Sequence, residues 1–275
     1  MKPGLKVALA PIDIKFKDIS GNLEQVKEIL DSLDSDVDLL VLPELFSTGY
    51  IADVSIMAPL AEPADGDTIS RIKEYAGYYG TAICGSFICK DGDRIVNRGF
   101  IIQPDGDIGF YDKHHLFTMG GEQKVFSAGI SLPPVINLKG WKIMPAICYD
   151  VRFPAWLRNH KLKYDLLVVP ANWAHSRAFA WEHLLIARAI ENQAYVIGCN
   201  RSGKDEYGEY AVTDSFAFNY WGKDIAMRLD NGIIYCTLDG EKMKSDREKF
   251  SPWRDADYFT FSEAQEVQEP SARQE

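Results

Sequence analysis

The sequence predicts an α/β domain in which strands and helices alternate. Three observations carry that prediction. Short, mainly apolar runs at 37–42 and 81–88 have strand length and read as strands covered on both faces. Segments with apolar residues three and four apart lie between such runs. No linker rich in Gly, Ser or Pro and no fixed-period repeat divides the 275 residues. One domain over 1–262 is therefore expected, followed by a polar, charged tail over 263–275 expected to be disordered.

The elements follow in order. Residues 5–12 read as a first strand. A helix over 22–33 places Leu23, Val26, Ile29, Leu30 and Leu33 on one face, with Asn22 as its N-cap. After the strand at 37–42, a second helix over 68–79 starts beyond Asp65-Gly66-Asp67 and stops at Gly80. A buried strand over 81–88 comes next. Residues 94–103 and 108–116 form a hairpin around Pro104-Asp105-Gly106-Asp107. Beyond Pro133-Pro134, strands are predicted at 141–148, 165–169 and 194–199, with helices at 154–160 and 179–193 between them. The pattern closes with an antiparallel pair, 214–224 and 232–238, connected through Asp230-Asn231-Gly232.

Composition narrows the function. Hydrophobic residues make up 46% of the chain, enough for a large core. Thirty basic residues against 40 acidic ones give a net charge of −10. No basic stripe interrupts that balance, which argues against nucleic acid or an anionic membrane surface as partner. An anionic small molecule stays possible, because a local arginine outweighs the global field. The cysteines at 84, 89, 148, 199 and 236 are odd in number and contain no CxxC pair, so neither a disulfide framework nor a zinc site is indicated. The first apolar run is too short for a secretion signal, and none reaches the roughly 20 residues of a membrane helix. A soluble protein of a reducing, cytoplasmic compartment is expected.

Three apolar runs end on chemically awkward groups. Cys148 sits in Ile-Cys-Tyr-Asp-Val-Arg-Phe-Pro, where a strand stops and a helix is expected to begin near Phe153-Pro154. Backbone N–H groups at such a turn lower a thiol pKa and bind an oxyanion. The plainer reading is a small buried hydrophobe, which a free cysteine usually is. The polar neighbours Asp150 and Arg152 favour function. Glu44 closes Leu-Leu-Val-Leu-Pro-Glu and precedes Leu45-Phe46, a partly desolvated setting that suits a general base. Its alternative is a solvated carboxylate or a structural ion pair. Lys113 follows Gly-Phe-Tyr-Asp and precedes His114-His115; alone it reads as a surface lysine. Together, a thiol, a carboxylate and an ammonium are the parts of nucleophilic acyl transfer. A Cys-His pair using His114 or His115 as base is the competing mechanism.

The segments Leu-Pro-Glu-Leu-Phe-Ser-Thr-Gly-Tyr around Glu44, Tyr-Asp-Lys-His-His-Leu-Phe around Lys113 and Ile-Cys-Tyr-Asp-Val-Arg-Phe-Pro around Cys148 occur in one order. With them the chain resembles the nitrilase superfamily of carbon–nitrogen hydrolases, from about Leu5 to about Phe261. Ala-Arg-Ala-Ile-Glu-Asn-Gln (187–193), Cys-Asn-Arg (199–201) and Glu-Lys-Phe-Ser-Pro-Trp-Arg-Asp-Ala-Asp (248–257) extend the likeness. The resemblance implies a four-layer αββα sandwich, commonly paired into an αββααββα dimer, so a homodimer or larger homo-oligomer is expected. It implies Glu44 as base, Lys113 as oxyanion partner and Cys148 as nucleophile, and removes the histidines from the base role. Glu122, in Gly-Glu-Gln-Lys-Val-Phe-Ser-Ala-Gly, matches the family's second glutamate, expected to orient Lys113. No metal or organic cofactor is required.

Within the superfamily, Cys-Tyr-Asp-Val-Arg-Phe-Pro and the C-terminal similarity look most like the ω-amidase branch, whose members hydrolyse the terminal amide of 2-oxoglutaramate. Such a substrate carries a carboxylate and calls for a cation away from the cleaved bond. Arg152 is the first candidate, with pairing to Asp150 as its structural alternative; Arg177 is the second. The Tyr149 N–H is expected at the oxyanion, and Tyr50, Phe117 and Trp173 as pocket walls. An N-carbamoyl hydrolase, a nitrilase proper and a non-catalytic metabolite-binding protein on the same fold are the alternatives.

Overall fold

Period-two alternation along the strands sorts the core into three layers of side chains, and these define the architecture. The computed structural model describes residues 4–261. In chain order the elements are β1 (Leu5–Leu9), α1 (Ile19–Ser32), β2 (Leu39–Val41), the one-turn α2 (Val54–Met57), α3 (Asp67–Tyr79), β3 (Ala82–Asp91), β4 (Arg94–Ile102), β5 (Ile108–Asp112), β6 (Ile136–Leu138) and β7 (Trp141–Pro145). Then come β8 (Leu166–Ala171), α4 (Ala178–Asn192), β9 (Tyr195–Asn200), β10 (Gly203–Asp205), β11 (Gly208–Tyr210), β12 (Phe216–Phe218), β13 (Met227–Arg228), β14 (Ile234–Leu238) and α5 (Gly240–Lys249). One sheet has seven strands in the order β13-β14-β1-β2-β3-β4-β5, the other five in the order β12-β9-β8-β7-β6; β10 and β11 form a separate ribbon.

Val7, Leu9, Leu39, Val41 and Cys84 of the first sheet meet Ile143, Leu166, Val168 and Ile197 of the second. Their neighbours Ala8, Leu40 and Ile83 point the other way, onto Val26 and Leu30 of α1 and Ile69 and Ile72 of α3. Leu167, Val169 and Val196 likewise leave the inter-sheet layer and pack on Trp181, Leu185 and Ala189 of α4. The result is helix, sheet, sheet, helix: the expected four-layer sandwich. β1, β2 and β3 run parallel, as do β7, β8 and β9. Parallel α/β sheets collect functional groups at the carboxyl ends of their strands, and Glu44, Cys148 and Asn172 follow β2, β7 and β8.

Several predicted elements need correction. α1 begins one turn earlier than expected, capped by Asp18, whose side chain accepts from the Gly21 N–H. Asn22 is buried inside it and clamps the chain, accepting from Lys15 N at 2.8 Å and donating to the Lys15 and Ser47 carbonyls at 2.7 and 2.8 Å. The helix expected at 154–160 does not form. Asn159 there donates to the carbonyls of Tyr164 and Asn192 and accepts from Tyr164 N, and such side-chain bonds compete with a helix. The pair expected between 214–224 and 232–238 is split: β12 joins β9 in one sheet and β14 joins β1 in the other, with β13 as the hairpin partner of β14. The tail expected over 263–275 lies outside the described residues. Among the described residues no helix is long and apolar enough to cross a membrane.

Candidate active site

Two strand ends turn sharply to deliver their polar groups. Leu45, just after Glu44, has φ +48°, and Cys148 has φ +45°. Both lie in the left-handed region that non-glycine residues rarely occupy, a strain that tends to collect at functional sites. Cys148 opens a short 3₁₀ turn, Cys148–Arg152, in place of the longer helix expected after it. Asp150 holds that turn. Its buried carboxylate accepts from Ile147 N (3.1 Å), Tyr111 Oη (2.9 Å) and His115 N (3.0 Å), with His115 Nδ1 2.9 Å away.

Lys113 follows β5 directly, its N–H still bonded to the Asn97 carbonyl at 2.9 Å. Its side chain is fully buried and its Nζ donates to Glu44 Oε1 at 2.8 Å and to Glu122 Oε1 at 2.7 Å. Glu44 Oε1 also accepts from Asn97 Nδ2 at 2.7 Å, and its Oε2 from Asn172 N at 3.0 Å. Glu122 Oε2 accepts from Phe117 N at 2.9 Å. The two carboxylates are therefore spent mainly on one ammonium and on fixed amide donors. The lysine has three N–H bonds; two go to these carboxylates.

The electrostatics follow from burial. Burial disfavours the Lys113 ammonium, but the charges of Glu122 and Glu44 outweigh it and hold its pKa well above that of an ordinary lysine. Burial raises the Glu122 carboxyl, against the opposing pull of Lys113. The Cys148 thiol is pushed well up, by burial first and by Glu44 second, with Lys113 opposing. This corrects the expectation that backbone N–H groups would lower it: desolvation dominates, so the thiol needs a base to become a nucleophile.

Glu44, Glu122 and Cys148 open into a cavity of about 430 Å³. Every residue predicted to bind substrate lines it: Tyr149, Arg152, Tyr50, Phe117, Trp173 and Arg177. Asp150 is occupied as described, so Arg152 does not pair with it; its guanidinium lies over Trp173 (4.9 Å) and Tyr149 (5.8 Å). Arg177 lies over Phe117 at 5.4 Å. Among the described residues neither arginine has a carboxylate partner.

The histidines are elsewhere. His114 stacks on Trp156 with its Nδ1 2.6 Å from the Gly129 carbonyl, and His115 stacks on Phe153 and meets Asp150. Neither lines the cavity, which removes the Cys-His pair. Sequence reasoning missed Asn97 and Asn172 beside Glu44, and the Asp205, Tyr207 and Tyr210 wall supplied by β10 and the segment through β11. Asn97 had one usable signal, an amide inside the strand run 94–103. Among the described residues no group of three or more His, Cys, Asp or Glu is placed to hold a metal ion.

A thiol, a carboxylate and a lysine at the strand ends of this sandwich, with a second carboxylate from the turn beyond β5, agree with the resemblance, and the chain belongs to the carbon–nitrogen hydrolase family, whose model it matches over residues 6–248. It is thus a hydrolase of carbon–nitrogen bonds. Its relatives narrow this further. It is 37% identical over 259 residues to omega-amidase YafV of Escherichia coli (strain K12), covering 94% of this chain and 98% of that protein. It is 33% identical over 253 residues to 2-oxoglutaramate amidase of Bacillus subtilis (strain 168), covering 90% and 96%. The structure of XC1258 from Xanthomonas campestris, a CN-hydrolase superfamily protein with an arsenic adduct in its active site, matches with a TM-score of 0.88 at 33% identity, covering 94% of this chain and 100% of that one.

Proposed function

We propose that this protein is a thiol-dependent amidase that hydrolyses the terminal amide of a small ω-amido (keto) dicarboxylate, such as 2-oxoglutaramate or succinamate, to the acid and ammonia. One observation carries the reading: Cys148, Glu44 and Glu122 open into the same cavity as two arginines that have no carboxylate partner among the described residues. A substrate with an amide at one end and a carboxylate at the other fits that division, since guanidinium binds carboxylate bidentately. The names of the E. coli and B. subtilis relatives support the same class.

Glu44 removes the Cys148 proton, and the thiolate attacks the amide carbon. The oxyanion that forms is stabilised by the remaining Lys113 N–H and the Tyr149 backbone N–H. Glu122 holds Lys113 in place. As the tetrahedral intermediate collapses, the protonated Glu44 gives its proton to departing ammonia and a thioester is left on Cys148. Glu44 then takes a proton from water as water attacks the thioester. Collapse releases the acid, and the proton returns to the Cys148 sulfur. Arg152, with Arg177 behind it, holds the far carboxylate, and Tyr50, Phe117 and Trp173 wall the chain between.

The same reading places a single carbon–nitrogen hydrolase domain over 1–262 in the cytoplasm, acting as a dimer. The outer face of α4 supports pairing: Phe179 and Ile190 are 76% and 50% exposed on it. An apolar stripe of this kind on an outer helix suits an αββααββα pair.

The deciding experiment measures ammonia release from 2-oxoglutaramate, succinamate, glutamine, an N-carbamoyl amino acid and a simple nitrile, with wild type and Cys148→Ala in parallel. Release from the first two that vanishes in the variant is expected. Release from only the carbamoyl compound or the nitrile would keep the nucleophile and overturn the substrate class. Undiminished release from Cys148→Ala would overturn the mechanism.

A further inference from the structure

Asn97 is out of pattern. Along β4 the side chains of Val96, Phe100 and Ile102 enter the layer under the helices, and Ile101 enters the layer between the sheets. By the two-residue period Asn97 shares the face of Ile101, where an apolar side chain is the rule. It is fully buried, and it touches two members of the site at once. Its backbone carbonyl accepts the Lys113 N–H at 2.9 Å, and its Nδ2 donates to Glu44 Oε1 at 2.7 Å.

The consequence lies in how the Glu44 oxygens are used. An ionised carboxylate offers about two acceptor positions per oxygen. Oε1 accepts from Lys113 Nζ and from Asn97 Nδ2, so both of its positions are taken. Oε2 accepts from Asn172 N alone. From this we infer that Asn97 is a positioning residue for the amidase reaction: it saturates Glu44 Oε1 and so assigns the proton exchange with Cys148 to Oε2. The amide works in one orientation only. Rotated by half a turn, its Oδ1 would face Oε1, acceptor against acceptor. A hydrophobe of similar size would fill the space, leave one Oε1 position open and free the carboxylate to rotate about its last bond. This inference rests on the reading of Glu44 as the base.

The test uses two variants of the full chain. Asn97→Leu keeps the number and branching of the side-chain heavy atoms, at a somewhat larger volume, and removes the donor. Asn97→Asp keeps the shape and supplies a donor only when its new carboxyl is protonated. Glu44 is also faced by Lys113 from the end of β5, Glu122 from the turn beyond it, Cys148 from the end of β7 and the Asn172 N–H from the end of β8; all of these are unchanged in both variants. Asn97→Leu is expected to lower kcat about 10- to 100-fold, the range for a hydrogen bond to a charged group, with KM within about threefold. Asn97→Asp is expected to lose a similar factor at pH 8 and to recover toward wild type, taken as a ratio at each pH, as the pH falls to about 5. Thermal melts report folding separately.

A folded Asn97→Leu with kcat within threefold of wild type would overturn the assignment. So would an Asn97→Asp deficit equal at both pH values, the mark of a purely structural role. If Asn97→Leu does not fold, the pH dependence of Asn97→Asp decides. Wild type inactive on every amide would instead overturn the functional reading. In that event the rate of Cys148 alkylation by iodoacetamide still tests Asn97: about tenfold slowing in Asn97→Leu supports it and an unchanged rate refutes it.

Discussion

Replacing Lys113 with methionine keeps an unbranched side chain one atom shorter and deletes its charge. Nζ lies 2.8 Å from Glu44 Oε1 and 2.7 Å from Glu122 Oε1, with no solvent exposure, so the variant buries two carboxylates without their common cation. Removing one partner of a buried ion pair costs about 3–5 kcal/mol. For a domain of this size each kcal/mol moves Tm by about 2–4 °C, which gives a loss of roughly 10 °C at pH 8. The pH dependence has a definite sign. In the wild type the Lys113 pKa is held above its unfolded value of 10.5, so its contribution is fully present below that pH and constant from pH 5 to 9. In the variant Glu122, already raised by burial above 4.5, loses the cation that opposed the shift. A carboxyl with a raised folded pKa destabilises the fold increasingly as pH climbs past its unfolded value. The deficit is therefore larger at pH 8 than at pH 5. Melts followed by circular dichroism at both pH values measure it, and ammonia release should fall about 10²–10³-fold as an oxyanion donor is lost. A Tm within 2 °C of wild type at pH 8, or a deficit equal at both pH values, would refute the view that this lysine neutralises both carboxylates.

Three further outcomes are expected. Arg152→Met should lower kcat/KM for 2-oxoglutaramate about 10- to 100-fold, chiefly through KM, while leaving a neutral amide of similar length little affected; steady-state kinetics on the two substrates compares them. Arg177→Met should act the same way but more weakly, and a uniform loss on both substrates would assign it to the pocket wall instead. Ile190→Asp places a charge on the exposed stripe of α4 and should halve the mass seen by light scattering while the monomer stays folded; an unchanged mass would move the interface elsewhere.

Much of the site was legible because three charged or nucleophilic groups end apolar runs. Burial at strand ends leaves a local trace, and Glu44, Lys113 and Cys148 carry it. Asn97 and Asn172 do not. Their contacts with Glu44 span 53 and 128 residues of sequence; the first forms only once β2, β3 and β4 pair in one sheet, the second only once that sheet packs on the other. The same distinction governs the fold. Helices α1, α3 and α4 show their apolar faces at helical spacing, whereas the allocation of β12 and β14 to different sheets depends on partners far away in the chain. The absent helix at 154–160 failed for a reason partly local and partly distant. Pro154 suits a first turn, but the amide of Asn159 outbids the helix by bonding the backbone at Tyr164 and Asn192. Asn22 misled in the same way, a good cap by type whose amide ties two loops together.

The ribbon of β10 and β11 belongs to neither large sheet, yet its segment supplies Asp205, Tyr207 and Tyr210 to the cavity. Glu44, Lys113 and Cys148 ride on strand ends locked into the core, while this part of the wall is an appendage. Evolution can therefore reshape it by insertion, deletion or exchange of a few residues without disturbing the Glu44, Lys113 and Cys148 geometry. Descendants of one such chain would share a reaction and diverge in diet. For the engineer the ribbon is the first segment to randomise when a different acyl chain is to be admitted.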